Sequence, residues 1–149
     1  MPIKIEDEAG MIALGQRLAA ACDSPCIIYL DGPLGAGKTT LVRGVLSGLG
    51  YHGTVRSPTY TLVEPYTVDA RRVFHFDLFR LTDVEELEFV GVRDYFDGDA
   101  TCLVEWPERG EGLLPPADLV IHLRFDGSAR RVILESRSPR GDRFVKLAE

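Results

Sequence analysis

The sequence predicts an α/β protein of three layers, in which a central parallel sheet is flanked by antiparallel strands. First, the apolar run at residues 26–30 leads into a glycine-rich loop and then a helical pattern, as in the strand–loop–helix unit of parallel sheets. Second, later apolar runs face each other across polar turns, as hairpin strands do. Because α/β alternation comes early and hairpins come late, we expect a parallel centre with antiparallel flanks.

Composition restricts the class of protein. With 149 residues, 45% of them apolar and 27% charged, the chain is expected to form one domain over residues 1–149. No apolar stretch approaches the roughly 20 residues of a membrane span, and no basic segment followed by an apolar one opens the sequence. We therefore expect a cytoplasmic protein.

The first third of the chain reads as helix, strand and helix. Apolar residues recur at helical spacing over residues 7–22, which predicts an amphipathic helix. The buried strand at residues 26–30 follows, and after the glycine-rich loop a second helix is expected to run to Gly50, a natural stop. The residues that define the second helical pattern are Leu41, Val42, Val45, Leu46 and Leu49.

The middle of the chain predicts a hairpin and short helices. Residues 51–58 have the composition of a loop, and residues 59–63 and 72–76 are expected to be strands flanking a polar turn near Asp69 and Ala70. Thr82 and Glu85 match a capping box, so a helix is expected to start with Thr82 as its cap. Short helical segments should then continue to about Phe96.

The last third is expected to be mostly strand. Residues 102–104 predict a second buried strand. Residues 119–123 and 131–134 predict a last pair of strands, joined across Asp126 and Gly127.

Residues 32–39 fit the phosphate-loop pattern G-x-x-x-x-G-K-[ST] at each fixed position. In such loops the glycines let backbone N–H groups point at phosphate oxygens, the lysine spans the β- and γ-phosphates, and the hydroxyl binds Mg²⁺. Here these side chains are Lys38 and Thr39. A glycine-rich turn that binds nothing is the alternative, but the flanking strand and helix favour a P-loop NTPase-like fold and a nucleotide site.

Two absences favour ATP over GTP. The chain contains no asparagine, so it cannot have the Asn-Lys-x-Asp element with which many GTPases read guanine. Its single glutamine, Gln16, lies far upstream of the phosphate loop, so a switch glutamine that orients water is not expected.

Two predicted strands end in an acid, Asp77 and Glu105. Both should emerge at the carboxyl edge of the sheet, where open α/β folds bind ligands, so at least one is expected to serve Mg²⁺ or the attacking water. A surface acid or a helix cap is the alternative for each. Trp106, the single tryptophan, could equally anchor the core or pack beside the nucleotide.

Ser57 and Thr59 lie where nucleotide switches carry a residue that senses the γ-phosphate, although a serine–proline pair is more often only a turn. The three cysteines are expected to be free thiols. Cys22 and Cys26 could suggest a metal site, but no second pair of ligands completes it.

Charge is unevenly distributed. The net charge of −6 argues against nonspecific nucleic-acid binding. A basic cluster near the C-terminus is either a solvated face or a docking surface for a nucleic acid or an acidic partner; it comprises Arg130, Arg131, Arg137, Arg140, Arg143 and Lys146.

Taken together, the motifs resemble the TsaE (YjeE) family. The matching segments cover the chain from about Asp7 to Arg130; they are residues 32–40, 57–64, 75–81, 86–89, 91–95 and 105–106. Phe79 stands where the family usually has tyrosine. The resemblance implies a small ATPase required for threonylcarbamoyladenosine on tRNA, which binds the TsaB–TsaD pair and hydrolyses ATP to reset that complex between turnovers.

The resemblance also implies roles for individual residues. The backbone from Gly35 through Ala36, Gly37, Lys38 and Thr39 to Thr40 would hold phosphates, with Lys38 bridging them and Thr39 ligating Mg²⁺. Glu105 resembles the acidic Mg²⁺ contact, and Asp77 the Walker B acid that acts through water or on the nucleophile. Glu8 and Arg130 correspond to positions that touch the nucleoside end of ATP.

Two other functions remain open. A small-molecule P-loop kinase would share the loop and the metal acid, but it usually adds a lid and an acceptor pocket, for which few residues remain after Leu103. A nonhydrolysing ATP-dependent adaptor, whose partner reads the bound nucleotide, would explain why no residue is recognisable as orienting water.

Overall fold

A seven-stranded mixed sheet forms the centre of the computed structural model, which describes residues 2–23, 25–58 and 60–148. The strands are β1 (Ile3–Ile5), β2 (Ile27–Asp31), β3 (Val63–Val68), β4 (Arg71–Asp77), β5 (Ala100–Glu105), β6 (Leu119–Asp126) and β7 (Ala129–Ser136). The helices are α1 (Glu8–Ala19), α2 (Lys38–Leu49), α3 (Glu85–Phe89), α4 (Val92–Tyr95) and α5 (Pro139–Ala148), with a short 3₁₀ helix at Pro107–Gly110.

The strand order is β1-β7-β6-β2-β5-β4-β3. Strands β6, β2, β5 and β4 pair in parallel, whereas β3 and the β7–β1 side pair antiparallel. This arrangement confirms the predicted α/β class with a parallel centre and antiparallel flanks. Strand β2 therefore ends in the middle of the sheet, and the loop that follows it opens at the carboxyl edge.

Helices cover both faces of the sheet. One apolar cluster packs α1, α2 and Phe144 of α5 against the first face, and a second cluster packs Leu87 of α3 and Val92 of α4 against the other. Helices α1 and α2 approach each other closely, since a Cβ on Gly44 would lie 2.4 Å from the Ile12 carbonyl oxygen. This contact fixes α2, and with it the phosphate loop, against the sheet.

The ends of the first two helices follow local chemistry. Asp7 caps α1 by accepting a hydrogen bond from the Gly10 N–H at 2.8 Å, and Gly50 ends α2 in the left-handed conformation, as predicted. Helix α1 ends at Ala19, three residues before the predicted Cys22.

The first predicted hairpin strand is misplaced. The turn at Asp69 and Ala70 is confirmed, but β3 runs from Val63 to Val68 rather than over residues 59–63. The two-residue turn sets the register, because Val68 pairs with Arg71 and every further pair is counted from there. Pro65 is tolerated because β3 is an edge strand.

Thr82 does not cap a helix. Helix α3 begins at Glu85, whose N–H donates to the Asp83 carboxylate at 3.0 Å. The Thr82 hydroxyl instead donates to the Glu86 carboxylate at 2.8 Å. Asp83, rather than Thr82, accepts the hydrogen bond at the helix start, because an aspartate side chain readily accepts from the N–H two residues later.

Three elements were not predicted from the sequence: β1, the short 3₁₀ helix and α5. Strand β1 has only three residues, and α5 lies in the basic segment that was expected to be mostly strand. Helix α5 buries only Gly141 and Phe144, so its apolar stripe is too narrow to stand out from its charges. Among the helices described, none has both the length and the apolar character needed to cross a membrane.

Candidate functional site

The phosphate loop occupies residues 32–37, between the end of β2 and the start of α2. Gly37 has φ +106°, a left-handed conformation that favours glycine, and it forms the N-cap of α2. The first N–H groups of α2 have no acceptor within the helix, and the positive end of the helix dipole lies at the same point. The Ala36 N–H donates to the Pro33 carbonyl at 3.1 Å and closes the loop on itself.

Lys38 is folded back over this loop. Its ammonium group donates to the Gly32 and Pro33 carbonyls and lies 3.9 Å from the centre of the Trp106 ring. Burial lowers the pKa of Lys38, an effect that the nearby Glu105 and Asp77 carboxylates oppose. A bound anion would therefore meet a cation that is largely stripped of water.

The two predicted acids come together at the carboxyl edge. Asp77 and Glu105 end neighbouring parallel strands and are direct register partners, with exposures of 7% and 3%. Because side chains alternate along a strand, Asp77 shares a face with Val73, and Glu105 with Leu103. Val73 and Leu103 belong to the cluster under α1 and α2, so both acids lie on the face that α2 covers.

Each acid has specific partners. The Glu105 carboxylate oxygen Oε2 accepts a hydrogen bond from the Thr39 hydroxyl at 2.8 Å and lies 2.6 Å from His75 Nε2. The Asp77 carboxylate accepts from the Ser57 hydroxyl at 3.3 Å and from the Phe79 N–H at 3.1 Å. Ser57 therefore reaches the site, whereas Thr59 lies outside the described residues.

Trp106 stands at the edge of the same site. Its backbone is left-handed with φ +57°, which is uncommon for a residue with a large side chain. The indole packs against Phe79 at 4.9 Å between ring centres, and the Arg109 guanidinium lies 5.5 Å from its ring. Trp106 thus both borders the second apolar cluster and faces Lys38.

The donor set is of the kind that a small hard cation binds. Thr39 and Glu105 offer a hydroxyl and a carboxylate held within 2.8 Å of each other, and Mg²⁺ prefers few protein oxygens together with water and phosphate. Within the described residues, no group of three or more His, Cys, Asp and Glu side chains is placed to hold a metal. The three cysteines are buried free thiols, as predicted.

Clefts open on both sides of the phosphate loop. The first, which we call the inner cleft, has a volume of about 440 Å³ and is lined by Lys38, Thr39, Ser57, Asp77, Glu105 and Trp106, with Leu34, Phe79 and Arg80 at its rim. The second, which we call the outer cleft, has a volume of about 340 Å³ and is lined by Glu8, Met11, Arg43, Ser128 and Arg130. Gly35, Gly37 and Thr40 line both.

Glu8 and Arg130 lie together in the outer cleft although they are far apart in sequence. Arg130 donates to the Gly35 carbonyl at 3.3 Å, and its guanidinium lies 4.6 Å from the Phe125 ring. Glu8 forms an exposed ion pair with Arg43 at 3.3 Å. The loop therefore separates a cleft that holds two buried acids from one that is lined by an exposed ion pair.

The other members of the basic cluster have different surroundings. Arg137, directly after β7, pairs with Glu135 of that strand at 2.9 Å, and Arg143 of α5 pairs with Asp23 at 2.5 Å. These two guanidinium groups are already neutralised by neighbouring acids.

Three residues beside these clefts were not predicted from the sequence. His75 contacts Glu105 in the interior, Arg43 lines the outer cleft, and Phe125 packs against Arg130 of that cleft. A histidine inside an apolar strand was a usable signal for His75, because a buried imidazole needs a partner. Nothing in the local sequence distinguishes Arg43 or Phe125.

Comparisons with known proteins identify the family of this chain. A family model described as "Threonylcarbamoyl adenosine biosynthesis protein TsaE" matches residues 5–133. The tRNA threonylcarbamoyladenosine biosynthesis protein TsaE of Haemophilus influenzae is 45% identical over 146 residues, covering 95% of this chain and 92% of the relative. The TsaE protein of Bacillus subtilis is 36% identical, with 92% and 84% covered.

A solved structure has the same fold. The crystal structure of Bacillus subtilis YdiB superposes with a TM-score of 0.81 at 27% identity and covers 99% of this chain and 93% of that one. The match spans both clefts and the strand-ending acids. On this sequence and structural similarity, the chain belongs to the TsaE family of threonylcarbamoyl adenosine biosynthesis proteins.

Proposed function

We propose that this protein is a Mg²⁺-dependent ATPase that acts in the threonylcarbamoyladenosine modification of tRNA next to the anticodon. It would bind the TsaB–TsaD pair, meet tRNA through that complex, and hydrolyse ATP to reset it between turnovers. We also propose that residues 1–149 act as one domain, since all seven strands hydrogen-bond into one sheet.

One observation carries the proposal. Lys38, Thr39, Asp77 and Glu105 come from three separate segments and meet in one cleft at the N-terminus of α2. A phosphate-binding helix end, a cation, and a hydroxyl beside a buried carboxylate are the parts that phosphoryl transfer needs.

The residues have separate tasks in this proposal. The loop backbone from Gly35 to Thr40 binds phosphate oxygens. When nucleotide binds, the Lys38 ammonium group leaves the Gly32 and Pro33 carbonyls and donates to phosphate instead. Thr39 and Glu105 would hold Mg²⁺, which supplies positive charge to the phosphates when bound. Asp77, fixed by Ser57 and the Phe79 N–H, orients the attacking water. Ser57 and Thr59 sense the γ-phosphate, and Trp106 packs beside the phosphates.

The outer cleft is proposed to take the nucleoside. Glu8 and Arg130 lie across from the phosphate loop and line a space that is continuous with its glycines. We favour ATP because the chain contains no asparagine for the guanine-reading element.

The test is reconstitution with TsaB, TsaD, tRNA and threonylcarbamoyl adenylate as the group donor, following phosphate release and modified tRNA together. We expect slow hydrolysis by the isolated chain and strong stimulation by the complete system. Transfer of phosphate to a small acceptor would indicate the kinase instead. Modified tRNA formed with a nonhydrolysable ATP analogue, over many turnovers, would indicate the adaptor.

A further inference from the structure

His75 is a buried histidine for which the proposed reaction has given no task. It lies on β4 between Phe74 and Phe76 and is fully shielded from solvent. Its Nε2 lies 2.6 Å from Glu105 Oε2. Its Nδ1 is the single buried side-chain nitrogen or oxygen in residues 2–23, 25–58 and 60–148 that has no hydrogen-bond partner.

The position of His75 follows from strand geometry. Side chains alternate, so His75 lies on the same sheet face as Asp77, the face that α2 covers. In the parallel register His75 pairs with Leu103, two residues before Glu105. Glu105 is therefore its diagonal neighbour, within reach of a long side chain.

The hydrogen bonds define how the carboxylate is held. An ionised carboxylate can only accept, so the histidine Nε2 carries the proton and donates it. The Thr39 hydroxyl donates to the same oxygen, Oε2. In the described part of the chain no protein donor contacts the other oxygen, Oε1, and Glu105 lines the inner cleft.

We propose that His75 is a positioning residue that holds the Glu105 carboxylate for the metal of a bound Mg²⁺–nucleotide. This inference rests on the proposed function, because it assumes that Glu105 serves Mg²⁺. A hydrogen bond from a second residue to a metal-binding carboxylate orients that carboxylate and strengthens metal binding, although the second residue does not touch the metal. An apolar side chain would fill the same space without leaving Nδ1 unpartnered, so packing alone does not account for a histidine here.

Two amide substitutions separate positioning from packing. In His75→Gln the side-chain amide nitrogen corresponds in reach to the histidine Nε2 and can still donate to Glu105. In His75→Asn the amide corresponds to Nδ1 and is too short. His75→Leu is a further variant without a donor, whose apolar side chain suits the buried position if His75→Asn does not fold.

The experiment is calorimetric titration of ADP into each variant, in Mg²⁺ and in EDTA, with thermal melting as the folding control. We expect His75→Asn and His75→Leu to weaken the Mg²⁺-dependent part of ADP binding by about 10- to 100-fold. Binding in EDTA should not change, and His75→Gln should retain most of the Mg²⁺ effect. In a Glu105→Ala background, His75→Asn should cause no further loss.

Contrary outcomes are distinguishable. Equal losses in Mg²⁺ and in EDTA, or a loss that persists in the Glu105→Ala background, would overturn the positioning role and leave the metal site standing. A wild-type protein that binds ADP equally well in Mg²⁺ and in EDTA would overturn the proposed metal site and this inference with it.

Discussion

Four strands end in an acid at the carboxyl edge of the sheet, and three of them, β2, β4 and β5, show that the two faces hold such an acid differently. Asp77 and Glu105 lie under α2, less than a tenth exposed. Asp31 ends β2 on the opposite face, about a third exposed, 2.7 Å from an Arg124 nitrogen and 2.8 Å from His122 Nδ1. An acid that ends an apolar strand can thus be buried or paired with an arginine, and the face on which it lies decides which.

The difference is electrostatic. On the face that α3 and α4 cover, Arg124 already neutralises Asp31, so little remains for a further cation to stabilise. On the face that α2 covers, no arginine of the described residues pairs with Glu105, and the nearby cation, Lys38, is turned toward the Gly32 and Pro33 carbonyls. A buried carboxylate without a paired cation is costly, and a bound metal ion would reduce that cost.

The largest expected effect concerns Lys38, the cation beside the two buried acids. Lys38→Ala should fold normally but lose ATPase activity by at least about 10²–10³-fold, because it removes a preorganised charge from the phosphates. Phosphate release by the reconstituted system measures this. Lys4→Ala, which changes an exposed lysine of β1, is the control and should retain full activity. Full turnover by Lys38→Ala would refute its role.

The acids provide the second test. Glu105→Ala should weaken Mg²⁺-dependent nucleotide binding more than Asp77→Ala does, because Glu105 is the acid beside the Thr39 hydroxyl. A Mg²⁺ titration at fixed nucleotide concentration compares the two. Asp31→Ala is the matched control on the other face and should leave the titration unchanged. Equal or reversed effects of the first two variants would contradict the proposal that Glu105, rather than Asp77, is the main acidic ligand of Mg²⁺.

The outer cleft should show a smaller effect. Glu8→Ala and Arg130→Ala remove exposed contacts, so each is expected to weaken nucleotide affinity only about two- to tenfold, as single hydrogen bonds do. The loss should be the same in Mg²⁺ and in EDTA. Arg131→Ala, whose side chain lies on the opposite face of β7, is the control for charge. A loss seen in Mg²⁺ but not in EDTA would connect these residues with the metal instead.

The smallest effect is on stability and concerns Asp31. Burial alone would raise its pKa, but hydrogen bonds from Arg124 and His122 outweigh this and hold the pKa below its ordinary value of 3.8. The ionised form is therefore favoured by folding. Its stabilising contribution is complete above that value and is lost as pH falls through the lower folded-state pKa.

Urea unfolding of wild type and Asp31→Asn tests this. The wild type should be slightly more stable at neutral pH, by a margin that stays constant down to about pH 4 and then shrinks. A margin that persisted at lower pH would show that the contact stabilises through packing rather than through charge.

Much of the fold was predictable because its signals are local. The apolar runs of β2 and β5, the loop glycines and the Gly50 stop all lie within a few residues of what they specify. Strand β3 was misplaced because the turn, rather than strand propensity, sets its register. Helix α5 was missed because its short apolar stripe is masked by charged residues.

The site residues likewise divide into those that the sequence predicts and those that it does not. Lys38 and Thr39 follow from a motif of contiguous residues, and Asp77 and Glu105 were recognisable as acids that end strands. Which face each acid occupies was not readable, because β4 and β5 are apolar on both faces and give no alternation to follow. The contact of His75 with Glu105 could not be predicted, because it forms only when β4 and β5 pair in the sheet.

The sequence by itself determined the fold class, the phosphate loop and the two candidate acids, because contiguous residues encode backbone conformation and burial. Only the tertiary structure decided that Asp77 and Glu105 are register partners, that Asp31 faces away from them, and that Glu8 and Arg130 share a cleft. The reason is physical: strand pairing and helix packing bring together residues that are distant in sequence, and no local pattern records those contacts.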